Sequence, residues 1–209
     1  GLLGLTTLIS ESFDELPPQK MKSLLLELKN SAANVYALVE GLLSWSQIQT
    51  GRIRYNRKKT DLHEISTNVA EQFAATAKSK EISLKQHISK NTFAVADERS
   101  ISTVFRNLIS NAIKYTKPGG AITVSATPKN GFVQVSVSDN GVGIKPETLK
   151  KLFSISEKNS TPGTANEKGT GLGLILCKEF VEKNHGTIIA ESEPGKGSRF
   201  IFTLPAANN

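Results

Sequence analysis

The chain has 209 residues and 38% hydrophobic content, enough to bury a real core as one large domain or as a smaller one with an appendage. A net charge of +7 raises nucleic acid and anionic membranes as partners, but the densest basic run, "RIRYNRKK" from Arg52 to Lys59, lacks the interleaved aromatics of a single-strand-binding surface and reads as a solvated connector. The single cysteine, Cys177, excludes an intrachain disulfide, no Cys/His spacing suits zinc, and no apolar run reaches the roughly 18 residues of a membrane span, so a reducing, cytosolic setting without direct membrane contact is expected.

In chain order, Leu2, Leu5, Leu8 and Ile9 form a short apolar helical segment that ends before Pro17-Pro18. Residues 19–50 then predict one long helix, because Met21, Leu24, Leu28, Ser31, Val35, Leu38, Leu42 and Trp45 alternate three- and four-residue steps. Together they read as a helical hairpin. Its seam is too long for two helices to bury alone, so a second copy completing a four-helix bundle is expected, making the protein a homodimer.

After Gly51 the pattern becomes mixed, starting with a helix from Asp61 to about Lys80 that carries Leu62, Ile65, Val69, Phe73 and Ala77. Strand-like alternation follows at Ile82-Leu84, Phe93-Val95, Ile122-Val124-Ala126, Val133-Val135-Val137, Ile188-Ala190 and Phe200-Phe202-Leu204, with "KNG" and "EPGKG" as turns. Between the second and third of these, Ile101, Val104, Phe105, Leu108, Ile109, Ala112 and Ile113 mark a helix packed on one side. Thr103, Asn107, Ser110, Asn111 and Lys114 run along the border of that apolar stripe. Asparagine gains nothing in a helix interior unless its amide has a partner, so this border predicts a ligand or a loop. Ser154 to Lys168 shows no periodicity and reads as a mobile, lid-like loop.

Two glycine motifs complete the candidate site. "VSVSDNGVGI" ends a strand with Asp139, whose carboxylate can accept from an exocyclic amine, while Gly141 and Gly143 let backbone approach a flat ring before Ile144. "KGTGLGLILCKEF", with Gly169, Gly171 and Gly173, opens a helix whose first backbone N–H groups suit an anion.

The order "NLISNAIKY", "DNGVGI", "GTGLGL" resembles the N, G1 and G2 boxes of sensor histidine kinases, and Leu152-Phe153 resembles a reduced F box. The hairpin exit "LLSWSQIQTGRI" and the closing "GSRFIFTLP" are similar to the same family. The resemblance implies an α+β two-layer sandwich of the Bergerat (GHKL) type, its mixed sheet covered by helices on one face, preceded by the dimerising hairpin. It divides the chain into a partial dimerisation hairpin at 1–50, a linker at 51–58 and a catalytic ATP-binding domain at 59–207. It implies Mg-ATP as ligand, with Asn111 on Mg²⁺, Asn107 and Lys114 beside the phosphates, Tyr115 at the adenine or ribose, Asp139, Gly141, Gly143 and Ile144 around the base, and Phe153, Lys168, Gly169, Thr170, Gly171, Leu172 and Gly173 completing the pocket. Lys168 either reaches the γ-phosphate or stays a solvated lid lysine.

The implied reaction is ATP-dependent phosphorylation of a histidine, relayed to an aspartate on a response-regulator receiver domain in two-component signal transduction. His63, His87 and His185 lack the acceptor context of the family, so the acceptor is expected upstream of Gly1 and the chain is expected not to label itself. Nucleic acid is not an expected partner. The ATP-hydrolysing relatives of the fold resemble this N box but carry glutamate where Asn107 stands. Asparagine cannot act as the general base for water, which favours transfer over hydrolysis. A silent nucleotide-binding dimer module is the remaining alternative.

Overall fold

The computed structural model describes residues 1–13, 16–49, 54–154, 163–165, 167 and 171–207. The order is α1 (Leu2–Glu11), α2 (Pro18–Gln49), β1 (Arg57–Asp61), α3 (Leu62–Ser79), β2 (Ser83–Gln86), β3 (Phe93–Asp97), α4 (Glu98–Tyr115), β4 (Ala121–Lys129), β5 (Phe132–Asp139), α5 (Pro146–Leu149), α6 (Gly173–Lys183), β6 (Ile188–Glu193) and β7 (Gly197–Pro205).

α3 and α4 each begin at an aspartate whose carboxylate accepts an orphan first-turn N–H, Asp61 from His63 at 2.8 Å and Asp97 from Ser100 at 2.9 Å. Strands β2, β4, β5, β7 and β6 form, in that order, a five-stranded sheet, parallel between β2 and β4 and antiparallel elsewhere. Period-two alternation sorts its faces. Val124, Val135, Val137, Phe200, Phe202 and Leu204 enter the core with Ile101, Val104, Phe105, Leu108 and Ile109 of α4, and α3 and α6 flank α4 in the same layer. The opposite face carries hydroxyls that pair with each other, Ser125 with Ser136 at 2.9 Å and Thr187 with Thr203 at 3.0 Å. This is the expected α+β sandwich with a mixed sheet.

The basic connector needs correction. Arg57 and Lys58, expected in a linker, belong to β1, which pairs antiparallel with β3 in a separate two-stranded ribbon. Alternation could not reveal this strand, because Thr60 is its one buried residue, its hydroxyl donating to Ala96 O at 2.9 Å. The charges are spent on neighbours: Lys59 lies 4.5 Å above the Phe93 ring, Lys58 pairs with Glu98 at 3.1 Å, and Arg57 donates to Lys183 O at 3.0 Å and meets His185 Nε2 at 2.7 Å. Gly51–Ile53 lie outside the described residues.

α1 and α2 pack on each other, burying Leu24 and half-burying Met21, Leu28 and Ser31 of the expected seam. Farther along, Val35 and Leu42 are 55% and 46% exposed, so among the described seam residues cover is confined to the first half. The side chains of Leu38 and Trp45 lie outside the described residues. α2 reaches the sandwich at Gly41, which is buried beside Leu172 and Leu176 at the start of α6. No described helix is long and apolar enough to cross a membrane.

At the centre of the sandwich Phe105 and Phe202 meet edge to face, with centroids 5.5 Å apart and rings at 77°, and neither is exposed to solvent. Phe105→Ala would remove this contact and leave a cavity between helix and sheet. It should destabilise the protein by about 3–5 kcal/mol, read as a lower urea midpoint.

Candidate nucleotide-binding site

The candidate residues gather along the polar edge of α4. Asn107, Asn111, Lys114 and Tyr115 are half-buried there, at the spacing that puts them on one side of the helix. Asn107 donates to Thr103 O at 3.1 Å, turning its carbonyl oxygen toward the start of α6, where a Cβ on Gly173 would sit 2.8 Å from it. A side chain at this position would require the Asn107 amide to shift. The Asn111 amide makes no hydrogen bond among the described residues and remains available to a ligand. Lys114 Nζ lies 4.7 Å from the Tyr115 ring centroid.

The second motif leaves β5 at Asp139 and is tied to the same helix. Val142 N–H donates to Tyr115 O at 3.1 Å, and Gly141 lies so close to that carbonyl that any Cβ would collide with it. Gly143, at φ +69°, presses on the backbone of Glu193. Ile144 N–H donates to Ser192 Oγ at 2.8 Å, Ser192 Oγ donates to Gly197 O at 2.7 Å, and Gly195 N–H donates to Val142 O at 2.8 Å. The "EPGKG" turn, read from sequence only as a link between strands, is thus the support of the Asp139 loop. Its glycines at 195 and 197 were the available signal.

Asp139 Oδ1 accepts from Gly141 N–H at 2.9 Å and Ser198 N–H at 3.2 Å, leaving Oδ2 outside these two bonds. Burial pushes its carboxyl above the usual aspartate value of 3.8, and the two backbone N–H groups only partly oppose that. The third motif starts α6 at Gly173 rather than earlier. Gly171 precedes the helix at φ +76°, Leu172 occupies the N-cap, and no side chain among the described residues caps the first turn. Lys168, Gly169 and Thr170 lie outside the described residues. Phe153 and Leu152 pack on the hydrophobic core.

One basic residue of this region was missed by sequence reading. Lys80, just past α3, donates to Ile113 O at 2.8 Å, Lys114 O at 3.1 Å and Glu167 Oε1 at 2.8 Å. Thr164 adds bonds from N–H and hydroxyl to Lys114 O at 3.0 and 3.1 Å. Burial raises the Glu167 pKa, but hydrogen bonds from Lys80, from its own N–H and from Ala165 N–H, with the Lys80 charge, outweigh it and hold the carboxyl below 4.5. Among the described residues no cluster of three or more His, Cys, Asp or Glu could hold a metal ion, so a cation here would share its shell with a ligand. A separate groove of about 560 Å³ between α3 and β2 is lined by Ala70, Ala74 and Leu84 among others and contains none of these residues.

Residues 96–208 match the family of histidine kinase-, DNA gyrase B-, and HSP90-like ATPases. The chain belongs to that family. It is 34% identical over 174 residues to the sensor protein RprX of Bacteroides fragilis, covering 82% of this chain and 34% of RprX. The Acinetobacter baumannii histidine kinase AdeS superposes with a TM-score of 0.77 at 24% identity, covering 99% of this chain and 94% of that one. The histidine kinase ThkA, solved in complex with the response regulator protein TrrA, superposes at 0.76 and 24% identity, covering 97% and 57%. The chain spans about a fifth to a half of the length of the curated relatives it matches. Within that span it carries the ATP-binding domain of the sensor-histidine-kinase type.

The raised Asp139 pKa has a definite sign. A folded value above the unfolded one means that ionised Asp139 costs stability above the folded pKa, and that the cost disappears as pH falls toward 3.8. Asp139→Asn keeps an acceptor for Gly141 and Ser198 while removing the charge. The ligand-free variant should melt above the unmodified protein at pH 7, with the difference closing on acidification, as differential scanning calorimetry across pH would record.

Proposed function

We propose that the chain is the ATP-binding kinase core of a two-component sensor, which binds Mg-ATP and delivers the γ-phosphoryl group to a histidine for relay to a response-regulator aspartate. The observation that carries this reading is the convergence on α4: Asn107 faces Gly173, the Tyr115 carbonyl holds the Asp139 loop, and Asn111 between them has an amide without a partner among the described residues. Asp139 would accept from the adenine amine, and Gly141 and Gly143 would bring backbone against the ring. The uncapped first turn of α6 would face the phosphates, joined by the Lys114 ammonium.

The donor set fits magnesium. The ion prefers oxygen ligands and keeps waters, so the Asn111 amide oxygen would suffice beside phosphate oxygens. When bound, Mg²⁺ supplies neutralisation of the phosphate charge. Asn107 disfavours hydrolysis, since an amide cannot take a proton from water.

The division into a hairpin at 1–50 and a catalytic domain running from β1 to about residue 207 is part of the proposal. So is homodimerisation, which the exposed Val35 and Leu42 support because a second α2 would cover them. A receiver-domain partner follows from the kinship with ThkA, whose complex contains a response regulator. A cytoplasmic setting is proposed with it. Two of the chain's three histidines are engaged elsewhere, His63 Nδ1 lying 2.6 Å from Ile88 O and His185 meeting Arg57, and the third, exposed His87, lacks the acceptor context of the family. No self-labelling is therefore expected.

Two measurements test this. With γ-labelled ATP and Mg²⁺, acid-labile label should form on a longer form of the protein that carries an acceptor histidine and not on this chain, whereas rapid phosphate release without labelled protein would favour an ATPase. In calorimetric titration Asp139→Asn should weaken ATP binding roughly ten-fold or more and blur the preference for ATP over GTP. Equal competition by GTP in the unmodified chain would remove Asp139 from the base-reading role.

A further inference from the structure

Lys80 is a deeply placed lysine, with its side chain 12% exposed, and its three bonds join segments far apart in sequence. Two go to the last-turn carbonyls of α4, which have no intrahelical donors. The third goes to Glu167, 36% exposed, whose other carboxylate oxygen accepts from Ala165 N–H at 2.8 Å. Glu167 O in turn accepts from Gly163 N–H at 2.9 Å. Gly163 rests on the stem of Lys114: a Cβ there would lie 2.5 Å from Lys114 Cγ and 2.9 Å from Lys114 O. The chain of contacts runs from Lys80 through Glu167 and Gly163 to Lys114, whose ammonium sits over Tyr115.

We infer that Lys80 is a positioning residue of the nucleotide site: by clasping Glu167 to the carboxyl end of α4 it seats Gly163 and Thr164 on the Lys114 stem and directs the Lys114 ammonium. The inference rests on the nucleotide reading above. A surface ion pair would carry little of this weight. Lys80 is not one, because the α4 carbonyls fix its ammonium whatever Glu167 does, so the carboxylate docks onto a prepared charge. Gly163 also has a reason to be glycine, since any side chain would displace either Lys114 or Glu167.

The test uses the 209-residue chain, titrated with a non-hydrolysable ATP analogue and Mg²⁺, as unmodified protein and as Lys80→Met, Lys80→Arg and Glu167→Gln. Thr164 amide exchange and ligand-free melting are recorded in parallel. Lys80→Met should weaken binding by about ten-fold and speed Thr164 exchange. Lys80→Arg, which can still donate to carbonyls and carboxylate, should restore most of the affinity, and Glu167→Gln should fall between. Glu167→Gln leaves the α4 carbonyl bonds intact, so it decides the matter should Lys80→Met fail to fold. A lower melting temperature with unchanged affinity in Lys80→Met, or an arginine variant no better than methionine, would reduce Lys80 to a structural tie and overturn the inference. Unmodified protein that fails to bind the analogue would overturn the nucleotide reading and this inference with it, an outcome distinct from wild-type-like binding by the variants.

Discussion

The last carbonyls of α4 are the constraint on which the site depends. A helix ends with carbonyl groups that its own N–H groups cannot reach, and in a buried setting each needs another donor. Here Ile113 O is satisfied by Lys80, Lys114 O by Lys80 and Thr164, Tyr115 O by Val142, and Thr116 O by the Thr164 hydroxyl at 2.9 Å. Each donor belongs to a different segment: the end of α3, the loop after β5, and the stretch before α6. One helix terminus thereby gathers three segments that are distant in sequence. The apolar stripe of α4 makes this possible by anchoring the helix against β4, β5 and β7 so firmly that its end cannot shift to relieve an unpaired carbonyl.

The Asp139 loop shows the same economy with backbone instead of side chains. Gly141 touches the Tyr115 carbonyl, Gly143 the Glu193 backbone, and Gly197, at φ +100°, the Asp139 backbone. These contacts exist because no Cβ intervenes. Together they hold a carboxylate in a position that burial makes unfavourable, with only two backbone N–H groups to ease it. Ser192, Gly195 and Ser198 brace the loop densely around this carboxylate, whose charged form burial disfavours.

The hairpin follows a different logic. Its seam is periodic and continuous in sequence, but α1 is only 10 residues long against 32 in α2, so covering ends where α1 ends. Past Ser31, Val35 and Leu42 stay exposed among the described side chains, while Gly41 meets Leu172 and Leu176 at the start of α6. That contact ties the helical arm to the residues that start α6.

The helices α2, α3 and α4, six strands, the polar border of α4 and the two visible glycine motifs were legible because each is a local signal, a period or a spacing that a few neighbouring residues carry by themselves. Strand β1 was not, since its partner rather than its pattern makes it a strand: Lys58 and Lys59 look like solvated charges until Glu98 and Phe93 stand beside them. Lys80 and Glu167 are 87 positions apart, and nothing in either neighbourhood announces a bond between them. By itself the sequence determined most of the elements and where the polar border of α4 and the two glycine motifs stand on them. Which carbonyl each loop answers, which turn braces Asp139, and where Lys114 points were decided only in three dimensions, because unpaired donors and acceptors choose partners by distance and not by order along the chain.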